Sequence, residues 1–168
     1  MATPFDGSWL TTWPPASAVN GVHGYVTGLR RALEPGRIRR ALAVCRDTGD
    51  SDGEASALNN LGYCCRELGR LAEAREYCLR ALAVARAAGD RWGEAIALNN
   101  LGEVLRDLGR YPPAVACLRR GLAVCAAIGD RWGEAWSRYD LGQTYHDLGR
   151  AVPAVRHYQR ADGTPRDR

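Results

Sequence analysis

The strongest constraint on this chain is a 40-residue period. Gly49-Asp50, Gly89-Asp90 and Gly129-Asp130 recur at that spacing, and so do Leu61-Gly62, Leu101-Gly102 and Leu141-Gly142. The triplets Leu68-Gly69-Arg70, Leu108-Gly109-Arg110 and Leu148-Gly149-Arg150 keep the same register. A fixed period of this length means one supersecondary unit copied along the chain. Each copy buries its apolar face only by stacking on the next.

The content of each period is two helices. Ala55, Leu58, Leu61, Gly62 and Cys65 follow at intervals of three and four, which makes one apolar helical stripe. Leu71, Ala74, Cys78, Ala81, Leu82 and Ala85 make a second, and a glycine stops each stripe at 69 and 89. Ser51 to Glu54 has capping-box spacing, and Asp90 reads as an N-cap. Pro112-Pro113 suits a helix start. Gly62, Gly102 and Gly142 are expected to let paired helices approach, each faced by Ala74, Ala114 or Ala154. Trp92 and Trp132 begin first helices and are expected to pack into the joints between repeats.

The expected organisation is an irregular, partly helical arm over 1–36, an array over 37–162 and a disordered tail over 163–168. The array divides into a half repeat at 37–48 and repeats at 49–88, 89–128 and 129–162. The half repeat is identified by Arg40-Ala41-Leu42-Ala43-Val44, which matches Arg80-Ala81-Leu82-Ala83-Val84. With one Phe among 168 residues, the core has to be built from Leu, Ala, Val and Cys, which suits close-packed helices.

Charge and cysteine narrow the function. The net charge is +4, and all 23 basic residues are arginine. They are spread along the chain, without the clustered patch that nucleic acid requires, so a nucleic-acid partner is not expected. No signal peptide and no run of 18 apolar residues is seen, so no membrane partner is expected. The expected location is cytoplasmic, with six reduced thiols. Cys64 and Cys65 are adjacent on a helix and point about 100° apart, so they do not converge on one ion. No Cys has a histidine at ligand spacing, and no phosphate loop or nucleophile–base pair stands in a supporting context. No metal, cofactor or catalytic residue is expected.

The set Leu98, Leu101-Gly102, Leu105, Gly109, Ala114 and Leu118 resembles the tetratricopeptide repeat. The 40-residue period is longer than the family's usual length of about 34. With ALNNLG at 57–62 and 97–102, it is similar to the long variant of kinesin light chains and of bacterial regulator sensory arrays. The resemblance implies an all-α, right-handed superhelical α-solenoid of antiparallel helix pairs. It also implies a concave face, lined by the first helices, that binds peptides. On matching positions that groove comprises Asn59, Asn60, Tyr63, Arg66, Asn99, Asn100, Glu103, Arg106, Tyr139 and Gln143. Ser56, Ile96, Trp136 and Asp140 fall on the same face. An asparagine amide both donates and accepts, so a ladder of them suits the backbone of an extended peptide. The same residues would also serve to fix repeat register, and the recurring arginines to pair with Glu67, Asp107 or Asp147.

The expected function is therefore a non-catalytic scaffold that binds a protein or peptide partner. Two alternatives stand beside it: a sensory or autoregulatory fragment of a larger transcriptional regulator, and an adaptor that forms homo-oligomers through the array end at Val152, Val155 and Tyr158.

Overall fold

A computed structural model describes residues 35–161, and within them the chain is an α-solenoid of seven helices. These are α1 (Pro35–Thr48), α2 (Ser51–Glu67), α3 (Leu71–Ala88), α4 (Arg91–Asp107), α5 (Tyr111–Ile128), α6 (Arg131–Asp147) and α7 (Ala151–Ala161). The expected N-terminal arm up to residue 34 and the tail lie outside the described residues. Helix α1 begins at Pro35, two residues before the expected start of the array at 37. A first-turn amide has no intrahelical partner to lose.

The turns explain the period. Gly89 and Gly129 end α3 and α5 in the left-handed conformation, at φ 72° and 73°, which only glycine adopts without cost. The next residue is an aspartate that caps the following helix. Asp50, Asp90 and Asp130 accept from the amides of Gly53, Gly93 and Gly133 at 2.8–2.9 Å. The capping box expected at Ser51 is therefore replaced by a cap one residue earlier. Glu54 turns back instead to Arg46 on α1, at 2.6 Å. Glu94 repeats this tie with Arg86 on α3, at 2.8 Å. At the third joint Ala126 stands in the arginine's place, and Glu134 pairs with Arg138 of its own helix.

Each first helix packs antiparallel on its second helix, and each second helix on the next first one. Leu58, Leu61, Leu98, Leu118 and Leu141 are fully buried in these contacts. Each contributes roughly 1.5–3 kcal/mol by leaving water. The close approach sits at Gly62, Gly102 and Gly142, but alanine is not what fills it. A Cβ there would meet Cys78 Sγ at 2.8 Å, Leu118 Cγ at 2.5 Å and the Tyr158 ring at 2.6 Å. The partner is thus four residues beyond the expected alanine, one turn further along the second helix. Cys64, Cys65, Cys78 and Cys125 are buried among these contacts, and burial pushes the Cys78 thiol up to about 12.

The layers are unequal. Helices α2 and α4 touch each other, as do α4 and α6, whereas α3, α5 and α7 make no comparable contact with one another. The first helices therefore form the inner layer of the solenoid and the second helices the outer one.

Candidate functional site

The inner layer presents one stripe per helix, built on the i, i+4 spacing that aligns side chains along a helix. On α2 the stripe holds Ser56, Asn60 and Tyr63. On α4 it holds Trp92, Ile96, Asn100 and Glu103. On α6 it holds Trp132, Trp136, Asp140 and Gln143. On α4 and α6 the stripes run from apolar near the helix starts to polar and acidic towards the ends, whereas the α2 stripe is polar at its start and ends in Tyr63.

Between stripes runs a ladder of charge pairs with constant register. Arg66 on α2 reaches Glu103 at 2.8 Å and Asp107 at 2.6 Å on α4. Arg106, 40 residues later, meets the equivalent residues on α6: it donates to Gln143 and lies 3.9 Å from Asp147. Partly exposed pairs of this kind contribute at most about 1 kcal/mol each, so their main effect is alignment of neighbouring repeats.

Under the α4–α6 rungs lies a pair of carboxyl groups. Glu103 accepts from the Trp136 indole N–H at 3.1 Å on one oxygen and pairs with Arg66 on the other. Asp140 beside it is 3% exposed, and its Oδ2 has no hydrogen-bond partner. Burial, then the charge of Glu103, pushes the Asp140 carboxyl up to about 8, against the opposing pull of Arg106 and Arg66. As two carboxylates neither residue can donate to the other; a proton on Asp140 supplies that donor.

The ten residues expected in the groove divide into two sets. Asn60 and Tyr63 are exposed, and Arg66, Arg106 and Gln143 are half-buried in the ladder. Asn100 is 7% exposed on the same stripe, with its amide 3.5 Å from Asn59 Oδ1. Glu103 is buried beneath the rungs. Asn59 and Asn99 correct the expected ladder, because both are buried between helices. Asn99 is 1% exposed and accepts from Ser137 Oγ at 2.9 Å. One residue is about 100° of helix, so on α2 Asn60 reaches the open face and Asn59 does not, whereas on α4 both asparagines are buried. Tyr139, at the Asn59 and Asn99 position, is exposed. It leans on Tyr158 of α7, with ring centroids 5.7 Å apart, and accepts from Gln143 at 2.9 Å.

Two residues expected in the joints are at the surface instead. Trp92 is 56% exposed and Trp132 is 73% exposed. Trp132 meets Trp136 edge-on at 5.3 Å. With Ile96 these side chains border a shallow cleft floored by Ala95, Asn99 and Cys125. The signal for this surface was present in the spacing: Trp92 and Trp132 stand four residues before Ile96 and Trp136 on the same stripes.

The model of the tetratricopeptide repeat matches the chain three times, over residues 37–87, 53–127 and 93–161. No curated protein matches. Among solved structures, the chain is similar to the crystal structure of BtubC (BKLC) from P. vanneervenii, with a TM-score of 0.69 and 22% identity. The match covers 84% of this chain and 61% of that one, so the chain spans about three-fifths of the length of that structure. That likeness is one of fold. No helix among the described residues is long and apolar enough to cross a membrane. Three overlapping matches in register with the 40-residue period place the chain in the tetratricopeptide repeat family.

Proposed function

We propose that this chain is a non-catalytic scaffold that holds a segment of a protein partner along its inner layer. The observation that carries this reading is the alignment of three equivalent stripes, with Asn60 and Tyr63 exposed beside a ladder that fixes their spacing. Such a surface offers donors and acceptors held in place before binding, so little ordering cost falls on the protein. In this reading Asn60 is the exposed amide that meets a peptide backbone, and Asn100, on the same stripe, is 7% exposed. The test is capture of a partner from the native host by the wild type and by Asn60→Ala with Asn100→Ala. Capture is expected to be lost while helicity is retained. Retention of capture rules out the groove, and loss of the fold makes the asparagines structural.

A second reading is favoured by a separate surface. Val152 and Val155 on α7 are 65% and 52% exposed. Pairing of two copies through this helix would cover them. Sedimentation at increasing concentration tests it, with a monomer throughout as the outcome against.

A further inference from the structure

The two layers of the solenoid carry opposite charge. Helices α1, α3, α5 and α7 hold eleven arginines and three carboxylates, whereas α2, α4 and α6 hold five arginines and nine carboxylates. On the inner face the two central arginines are already engaged, Arg66 with Glu103 and Asp107, and Arg106 with Asp140 and Asp147. With Asp140 holding its proton, Glu67, Glu103, Asp107 and Asp147 still set four carboxylates against two guanidinium groups, so the uncompensated charge of the groove is negative.

Aromatic surface runs into that charge. Trp132, Trp136 and Asp140 follow at i, i+4 and i+8 on one face of α6, and the Trp136 indole is bonded directly to Glu103. Indole faces and carboxylates are the two kinds of group that attract a cation. Two turns of α6 separate Trp132 from Asp140, about 12 Å at the helical rise. An extended peptide spans that distance in about three to four residues.

Resting on the groove reading above, we infer that the segment held by the inner face is basic. An apolar side chain lies on Trp92 and Trp132, and an arginine or lysine about three to four residues away lies over the Trp136 indole, with the Glu103 carboxylate bonded behind it. The surplus carboxylates select against an acidic segment by like-charge repulsion.

The test uses two short blocked peptides of equal length. One carries leucine, three alanines and two arginines; the other replaces the arginines with glutamates. Binding is measured by calorimetry and by tryptophan fluorescence at about 0.15 M salt, where exposed charges are screened beyond about 8 Å. The arginine peptide is expected to saturate the wild type and the glutamate peptide is not. Glu103→Gln, which installs the residue found at position 143 of the next repeat, is expected to weaken the arginine peptide about tenfold. Trp132→Ala is expected to weaken it about fivefold. Should Glu103→Gln not fold, the exposed Trp132 and the glutamate peptide still decide the matter. Binding of the glutamate peptide as tightly as the arginine one, or saturation by neither up to millimolar concentration, overturns the inference. If the glutamate peptide binds and Asn60→Ala with Asn100→Ala abolishes it, the groove stands and only its charge preference falls. An arginine peptide indifferent to all of these substitutions removes both the inference and the groove.

Discussion

Asn99 on α4 and Ser137 on α6 join two successive repeats through a buried hydrogen bond of 2.9 Å. Asn99 Oδ1 also lies against Gly121 of α5, where a Cβ would strike it. One asparagine thus ties three helices. Glycine at 121 is the space it needs, whereas in the preceding repeat the equivalent position is the fully buried Ala81.

Gly121→Ala should therefore destabilise the fold. In an open helix this change gains up to about 1 kcal/mol from propensity. Here the added methyl meets a buried amide, and overpacking costs about 1–3 kcal/mol. The loss is expected to exceed the gain. Asn99→Ala, which leaves Ser137 without this acceptor, is expected to cost about 1–3 kcal/mol. Denaturant melts of both variants measure the difference, and a stabilised Gly121→Ala would show that Asn99 can move aside.

Gly102→Ala should cost more than Gly142→Ala, although both added methyls meet the facing side chain at 2.5–2.6 Å. Leu118, opposite Gly102, is fully buried and has nowhere to go. Tyr158, opposite Gly142, is only half-buried and can swing outward. A loss of about 2–3 kcal/mol at 102 against about 1 kcal/mol at 142 is expected. Equal losses would mean that the backbone, and not the facing side chain, sets the cost.

These glycines show how the sequence was informative and where it stopped. Period and apolar spacing are properties of the chain alone, so the solenoid and its helix pairs could be read from the repeated Gly-Asp and Leu-Gly marks. That a small residue was needed at 62, 102 and 142 was equally readable. Its partner was not, because helix offset decides whether Ala114 or Leu118 meets Gly102. The same limit applied to the site. Asn59 and Asn60 are chemically identical neighbours, yet the first is buried and the second exposed, while Asn99 and Asn100 are both buried, and only the position of the neighbouring helices determines this. Trp92 and Trp132 have the size of joint anchors, but they lie in the first turn of their helices and border the cleft between repeats with most of their surface exposed.

Stability should depend on pH through Asp140. The groups facing it are Glu103 and Arg106 on α4, Arg66 on α2 and Tyr158 on α7. Its carboxyl lies at about 8, above the ordinary 3.8. Between those values the folded state holds a proton that the unfolded chain has released, so the slope of stability against pH is negative. Stability contributed by this proton is lost as pH rises through the window. Asp140→Asn, which installs the residue found at positions 60 and 100, has no proton to lose and can still donate to Glu103. The melting temperature of the variant is expected to exceed that of the wild type by a margin that grows from pH 5 to pH 9 (about the range of the shift). A margin that stays constant or narrows would place the proton elsewhere.

Trp132→Ala should leave the fold almost unchanged despite removing the largest side chain available. Trp132 is 73% exposed, in the second position of α6, and its ring contact among the described residues is with Trp136. An edge-on aromatic pair contributes about 0.5–1.5 kcal/mol, and alanine recovers roughly half of that through its better helix propensity. The net change is expected to be within about 1 kcal/mol, compared with about 2–5 kcal/mol for Leu141→Ala in the core. The emission of the remaining tryptophans should shift to longer wavelength as Trp136 gains solvent on the face that Trp132 covered. A loss above about 2 kcal/mol would mean that Trp132 anchors the joint after all, and the aromatic surface offered to a partner would then be reduced to Trp92 and Trp136.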